Sequence, residues 1–402
     1  MRRGAAVRPS DARGVSRLAI DATEGLTAVV EAMHQRIARA ASVPDTPVHV
    51  AAREMAGLVY RTVRGMTRLV GDGLDGALAG LEPLLDRGGT SPRREAILAA
   101  LNGVLGDHLV ETGNPLAIPM RLRRLGRPLD PGPALAPAIP DAGGRLLVLV
   151  HGLCMNDLQW SRDGHDHGAA LARDLGYTVV HLHYNTGLHI SLNGRGFADL
   201  MESLVQHWPV PLSELAILAH SMGGLVARSA VHQGTEVGQA WPQRLRRLVF
   251  LGTPHHGAPL ERGGNWIELL LGVSSWTAPL ARIGQIRSAG VTDLRHGSLL
   301  EEDWAGRHRF SRCADGRVPV PLPEGVACHA IAGTTRKRPA PSGKRRPPGD
   351  GLVPVASALG RHHDRRRSLR IPPARRWLAY GAGHFQLLGS PEVYAKVREW
   401  LG

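Results

Sequence analysis

Residues 215–232 read LAILAHSMGGLVARSAVH. An apolar run ends in a histidine, a serine and two glycines, then turns into residues of helical character. A small hydroxyl at the tip of a buried run has two readings: a tight strand-to-helix turn without chemistry, or a nucleophile raised for attack. In a turn of the form small-x-Ser-x-small, the positions two before and two after the serine approach neighbouring backbone, so only small residues fit. Ala219 and Gly223 stand there, alanine replacing the more usual glycine. Such a turn strains the serine by about 1–3 kcal/mol and keeps its oxygen available at a helix N-terminus that favours negative charge.

The runs on either side repeat the pattern. LLVLVHG (146–152), YTVVHLHY (177–184), LRRLVFLGTP (245–254), GVACHAIAG (325–333) and RRWLAYGAG (375–383) are short and nearly continuously apolar, with helix-length segments between them. Strands of that kind predict a mostly parallel sheet covered on both faces, hence an α/β fold. Ligands of such sheets sit beyond the carboxyl ends of the strands, where these runs deliver their reactive residues.

Before residue 125 the periodicity is helical: Leu18 to Ile37, Met55 to Val70, and Ile97 to His108, the last opened by Ser91-Pro92. The expected organisation is a helical N-terminal extension (1–125), a Pro/Gly/Ala linker (126–144) and a catalytic domain (145–402). Packing on the main domain and peripheral membrane contact are the alternatives for the N-terminal helices. The stretch NWIELLLGVSSWTAPLARIG (265–284) keeps helical spacing between two strands. It reads as a helical cap or lid over about 258–310, or as an ordinary packed excursion.

Composition narrows the function classes. The chain has 402 residues, 43% of them apolar, enough for a sizeable core. Its net charge of +14 raises nucleic acid as a partner. Thirteen Lys and Arg, against Asp350 and Asp364 alone, fall between Arg336 and Arg376, with no interleaved aromatic residues for base stacking. A solvated basic loop is therefore expected, and no nucleic-acid partner. Three cysteines without paired spacing fit a reducing compartment, and no apolar run reaches membrane-spanning length, so the expected location is cytoplasmic.

AHSMGGLVARS, with LVLVHGL upstream and GDGLVP and GAGHFQLL downstream, resembles the lipase/esterase branch of the α/β-hydrolase fold over roughly residues 145–402. LGTPHHGAP is similar to bacterial hydrolases grouped with GPI inositol-deacylase-like proteins. The resemblance implies Ser221 as nucleophile, His384 as its base and Asp350 as the acid that orients the base, in the order Ser…Asp…His. Asp364, in the charged run RHHDRRR, is the runner-up acid. The backbone N–H groups of Leu153 and Met222 would form the oxyanion hole. No cofactor and no metal are implied. The expected substrate is a small-molecule or lipid ester with an apolar acyl chain, cleaved through an acyl-enzyme. A thioesterase or amidase on the same triad, and a non-catalytic lipid- or protein-binding module of this fold, are the alternatives.

Other polar residues near the strand ends read as pocket or supporting positions: His151, Cys154, His220, His255 and His256. His181 and His183 share one face of a strand, as zinc ligands do, but lack a third ligand at telling spacing.

Overall fold

The structure, a computed structural model, describes residues 10–21, 92–258, 288–306, 315–338 and 348–402. Most of the N-terminal stripes and of the expected cap lie outside the described residues. The chain forms two compact units, residues 1–91 with 109–117, and residues 92–108 with 118–402. In the first, residues 10–21 are helical; the Arg17 guanidinium donates to Gly113 O at 2.8 Å and Asn114 Nδ2 to Gly14 O at 3.0 Å.

The second unit is built on an eight-stranded sheet. Its strands are β1 (Arg121–Arg124), β2 (Arg127–Leu129), β3 (Arg145–Val150), β6 (Thr178–His183), β7 (Glu214–His220), β8 (Leu245–Leu251), β9 (Ala327–Thr334) and β10 (Arg376–Tyr380). A separate two-stranded ribbon pairs β4 (Ser161–Arg162) with β5 (His165–Asp166). Across the large sheet the order is β10-β9-β8-β7-β3-β6-β1-β2. All neighbours from β10 to β6 are parallel, whereas β1 runs antiparallel to β6 and to β2. This mostly parallel sheet with flanking helices is the α/β-hydrolase arrangement.

Five longer helices accompany the sheet: α1 (Pro92–Glu111), α2 (His167–Leu175), α3 (Ile190–Gln206), α4 (Met222–Glu236) and α5 (Pro391–Leu401). β3 and β7 are buried along nearly their whole length, as strands with both faces covered must be. Alternate residues point to opposite faces. Leu147 and Leu149 of β3 join Leu171 of α2 and Val393, Val397 and Trp400 of α5 in one apolar cluster. The opposite face meets α4, which packs on β3, β7 and β8 and against α3.

β1 and β2 occupy residues that the sequence reading assigns to the extension and the linker. Their sequences, RLRR and RPL, give no apolar run. They exist as strands because β6 offers an open edge, with Leu122 opposite Leu182. From β3 the chain steps to β6 on one side, then returns through α3 to β7 on the other. That reversal opens a crevice at the carboxyl ends of β3 and β7.

Candidate active site

Ser221 lies buried at the carboxyl end of β7. It follows β7, heads α4, and has φ 54° and ψ −127°. A residue with a Cβ avoids this region, and holding it there costs about 1–3 kcal/mol. The Ser221 N–H donates to Leu251 O at 2.8 Å, and its carbonyl accepts from Gly224 N–H at 3.1 Å. A Cβ at position 223 would stand 2.4 Å from Val150 O and 2.5 Å from His151 O, so only glycine lets α4 start this close to β3.

His384 lies in the loop after β10. Its Nδ1 is 2.8 Å from Asp350 Oδ2, and both side chains are buried. An ionised carboxylate only accepts, so the Nδ1 proton donates and the second ring nitrogen, Nε2, is left as the basic position. Nε2 is buried and has no hydrogen-bond partner among the described residues. Asp350 is itself held: Oδ1 accepts from Leu352 N–H at 3.0 Å and Val353 N–H at 2.8 Å. His384 N–H donates to Asp350 O at 2.9 Å, stitching the two loops together.

Several contacts bring this pair next to the serine turn. The ring of His220, the residue before Ser221, lies 4.7 Å from that of His384, and its Nε2 is 3.1 Å from His384 O. Gly252, just past β8, has φ 58°; a Cβ there would lie 3.1 Å from Asp350 Oδ2 and 3.2 Å from His384 Nδ1. Leu251, its neighbour, accepts the Ser221 N–H. Asp364 makes no contact with His384; its Oδ1 accepts from Arg366 N–H at 2.9 Å in a turn of its own.

The loop after β3 forms the other wall. A Cβ on Gly152 would come within 2.9 Å of Ser221 Cβ. Leu153 is buried, and its N–H makes no hydrogen bond among the described residues. Met222, also buried, is the first residue of α4, where a helix leaves its N–H groups unsatisfied. Cys154 takes φ 59°, and its N–H donates to Thr186 Oγ1 at 3.1 Å. Burial pushes the Cys154 thiol up to about 12, so it stays protonated, and its sulfur packs against α1, 3.9 Å from Ala100 O.

The remaining histidines divide by position. Burial pushes His151 down to about 3, and its ring stacks on Tyr184 at 4.5 Å while the Tyr184 hydroxyl donates to His151 O at 2.7 Å. It shapes the turn. Burial, reinforced by His384, holds His220 well below the usual imidazole range, so it packs as a neutral ring. His255 and His256 belong elsewhere: His255 lies edge-on to Phe250 and beside Arg228, and His256 N–H donates to Ser357 Oγ. His183 Nδ1 lies 3.1 Å from Asp157 Oδ1. Among the described residues no group of three or more His, Cys, Asp or Glu is arranged to hold a metal ion.

Sequence reasoning did not single out Thr186, Tyr184, Gly252 or Gln386, whose Oε1 accepts from Gly383 N–H at 2.6 Å beside His384. Only Gln386, inside GAGHFQ, carried any local signal. The basic segment also differs from a solvated loop. Arg366, Arg367, Arg370 and Arg375 line a cavity of about 450 Å³, and Arg367 pairs with Asp315.

The likeness to known proteins is distant in sequence. Residues 131–294 match a family described as a domain of unknown function, DUF7379. No curated protein matches the chain in sequence. Among solved structures, the lipase BlEst2 of Bacillus licheniformis in mature form is 19% identical, with 70% of this chain and 98% of that one covered and a TM-score of 0.41. The Pyrococcus furiosus esterase Pf2001 is 14% identical over 64% of this chain and 83% of that one, with a TM-score of 0.35. The Legionella pneumophila phospholipase PlaB is 15% identical over 53% and 45%, with a TM-score of 0.34. No helix among the described residues is long and apolar enough to cross a membrane.

Proposed function

We propose that this chain is a serine hydrolase that cleaves carboxylic esters of apolar acyl groups. One observation carries the reading: a strained serine at a helix head follows His220, whose ring lies 4.7 Å from that of His384 in a buried, hydrogen-bonded Asp350–His384 pair with an unpartnered outer nitrogen. A free serine hydroxyl is a poor nucleophile and needs an adjacent base. In the reaction, Ser221 Oγ attacks the ester carbonyl carbon while His384 Nε2 takes its proton. Asp350 holds the imidazole in the required tautomer and stabilises the imidazolium. The carbonyl oxygen becomes an oxyanion, held by the Leu153 and Met222 N–H groups; losing one such donor costs about 2.7–4 kcal/mol of transition-state stabilisation. Collapse breaks the ester C–O bond, and the alcohol leaves with the proton from His384. Water then attacks the acyl-enzyme, gives a proton to His384, and releases the acid and Ser221.

The buried residues that flank the serine turn, Leu153 and Met222, are apolar, which supports an apolar acyl group. The test is labelling of the full chain by a fluorophosphonate probe, together with hydrolysis of p-nitrophenyl esters from acetate to laurate. We expect labelling and turnover in the natural chain and neither in Ser221→Ala. A folded natural chain that takes no label and cleaves no member of the series would remove the reading.

A further inference from the structure

The 450 Å³ cavity beside α4 has a composition that the ester chemistry does not use. Six arginines line it against two carboxylates, Asp303 and Glu324. At its inner end is Arg228, on α4, only 5% exposed. Among the described residues no carboxylate lies within ion-pair distance of it. One of its terminal nitrogens donates to Val320 O at 2.6 Å, the other approaches His255 Nδ1 at 3.5 Å, and Nε has no partner. His255 is fully buried, and its Nε2 is likewise unpartnered. With Nδ1 facing a guanidinium, the imidazole proton sits on Nε2, which makes that atom a second unused donor.

A buried cation without a counter-charge is costly, and proteins pair such groups. The nearby carboxylate that might serve, Asp315, is already shared: its oxygens bind Arg317 at 2.8 and 2.9 Å and Arg367 at 3.3 Å. Cys328 also lines the cavity, but burial pushes its thiol up to about 12 and leaves it neutral. Positive charge therefore remains uncompensated at the inner end. The apolar segment VPVPLP (318–323) also lines the cavity. A planar guanidinium fork matches tetrahedral oxyanions, and several forks around one space match a dianion better than a carboxylate.

We propose that this cavity binds a phosphate monoester carrying an apolar group, its phosphate on Arg228 and His255 and its apolar part along residues 318–323. The site is separate from Ser221: Arg228 lies seven residues further along α4, about 10 Å by helical rise. Ser221→Ala should therefore bind as the natural chain does.

The test is calorimetric titration of the full chain with phenyl phosphate, inorganic phosphate and benzoate, with Arg228→Gln and Arg375→Gln alongside. Arg375 lines the cavity, and its side chain makes no hydrogen bond among the described residues, so its replacement leaves the fold intact even if Arg228→Gln does not fold. Phenyl phosphate should bind at least about fivefold more tightly than inorganic phosphate or benzoate, weakening about three- to tenfold in Arg375→Gln and about thirtyfold or more in Arg228→Gln. Co-sedimentation with phosphatidic acid vesicles, against phosphatidylglycerol vesicles, separates the sources. Selective retention on phosphatidic acid that Arg375→Gln loses identifies a lipid headgroup; phenyl phosphate binding without it identifies a soluble monoester. No binding of phenyl phosphate or of phosphatidic acid, benzoate or inorganic phosphate binding as tightly as phenyl phosphate, or affinity unchanged in Arg375→Gln would each overturn the proposal.

Discussion

Asp350 does two jobs with two oxygens, and substitutions should separate them. Oδ2 faces His384, while Oδ1 accepts two backbone N–H groups. Asp350→Asn keeps an acceptor for the loop but offers the imidazole an amide, which favours the wrong tautomer; we expect ester turnover to fall by about 10⁴ with little change in stability. Asp350→Ala strands both N–H groups as well, which should cost a further about 1–3 kcal/mol. Urea denaturation of the two variants beside their kcat values checks the distinction. Equal stability losses would show that the loop does not depend on Oδ1. The left-handed conformation of Ser221 belongs to the same scale: local sequence forecasts it, because small residues, Ala219 and Gly223, stand two before and two after the serine.

Between elements, the close approach of α4 to β3 is the sensitive joint. Gly223→Ala would drive a methyl group into the Val150 and His151 carbonyls, at separations no side chain tolerates. Overpacking of this kind costs about 1–3 kcal/mol, and relief by moving α4 would displace Ser221 and Met222 together. The expected result is a lower thermal midpoint and a loss of kcat larger than the loss of stability explains. Thr186 is the counterpart on the other wall. Thr186→Val removes the acceptor for Cys154 N–H, and a buried unsatisfied donor costs about 1–3 kcal/mol. Because that bond anchors the residue after Leu153, kcat should fall while labelling by the fluorophosphonate persists, more slowly. Unchanged kcat would mean that Thr186 holds nothing the reaction needs.

Across the whole molecule, the buried histidines set an acid limit. Burial lowers His151 to about 3 and His167, His256 and His329 to about 4. Burial also lowers His181, and holds His220 and His255 well below the ordinary imidazole range. In the unfolded chain each takes up a proton as pH falls through about 6.5, whereas the folded form resists it until its own lower value. The unfolded state thus binds more protons, and stability falls with pH between about 6.5 and 4, each such group contributing up to about 1.4 kcal/mol per pH unit. Urea midpoints should be steady above pH ~7 and drop steeply below pH ~6. A flat profile would mean that these rings are hydrated in the folded protein.

How much of this was legible in the sequence follows from the range of each cause. A buried parallel strand announces itself locally, because both of its faces must be apolar; β3, β7, β8 and β9 were readable for that reason. A glycine or alanine two positions from a serine also records a local steric demand. The hairpin of β1 and β2 has no such mark, since its arginine-rich residues become strands only when β6 supplies an edge. Tertiary structure alone decided that Arg228, Arg317 and Arg367 surround one space. Apolar periodicity is written along the chain, whereas a hydrogen bond or a gathering of charge depends on distances of a few ångströms between segments far apart in sequence.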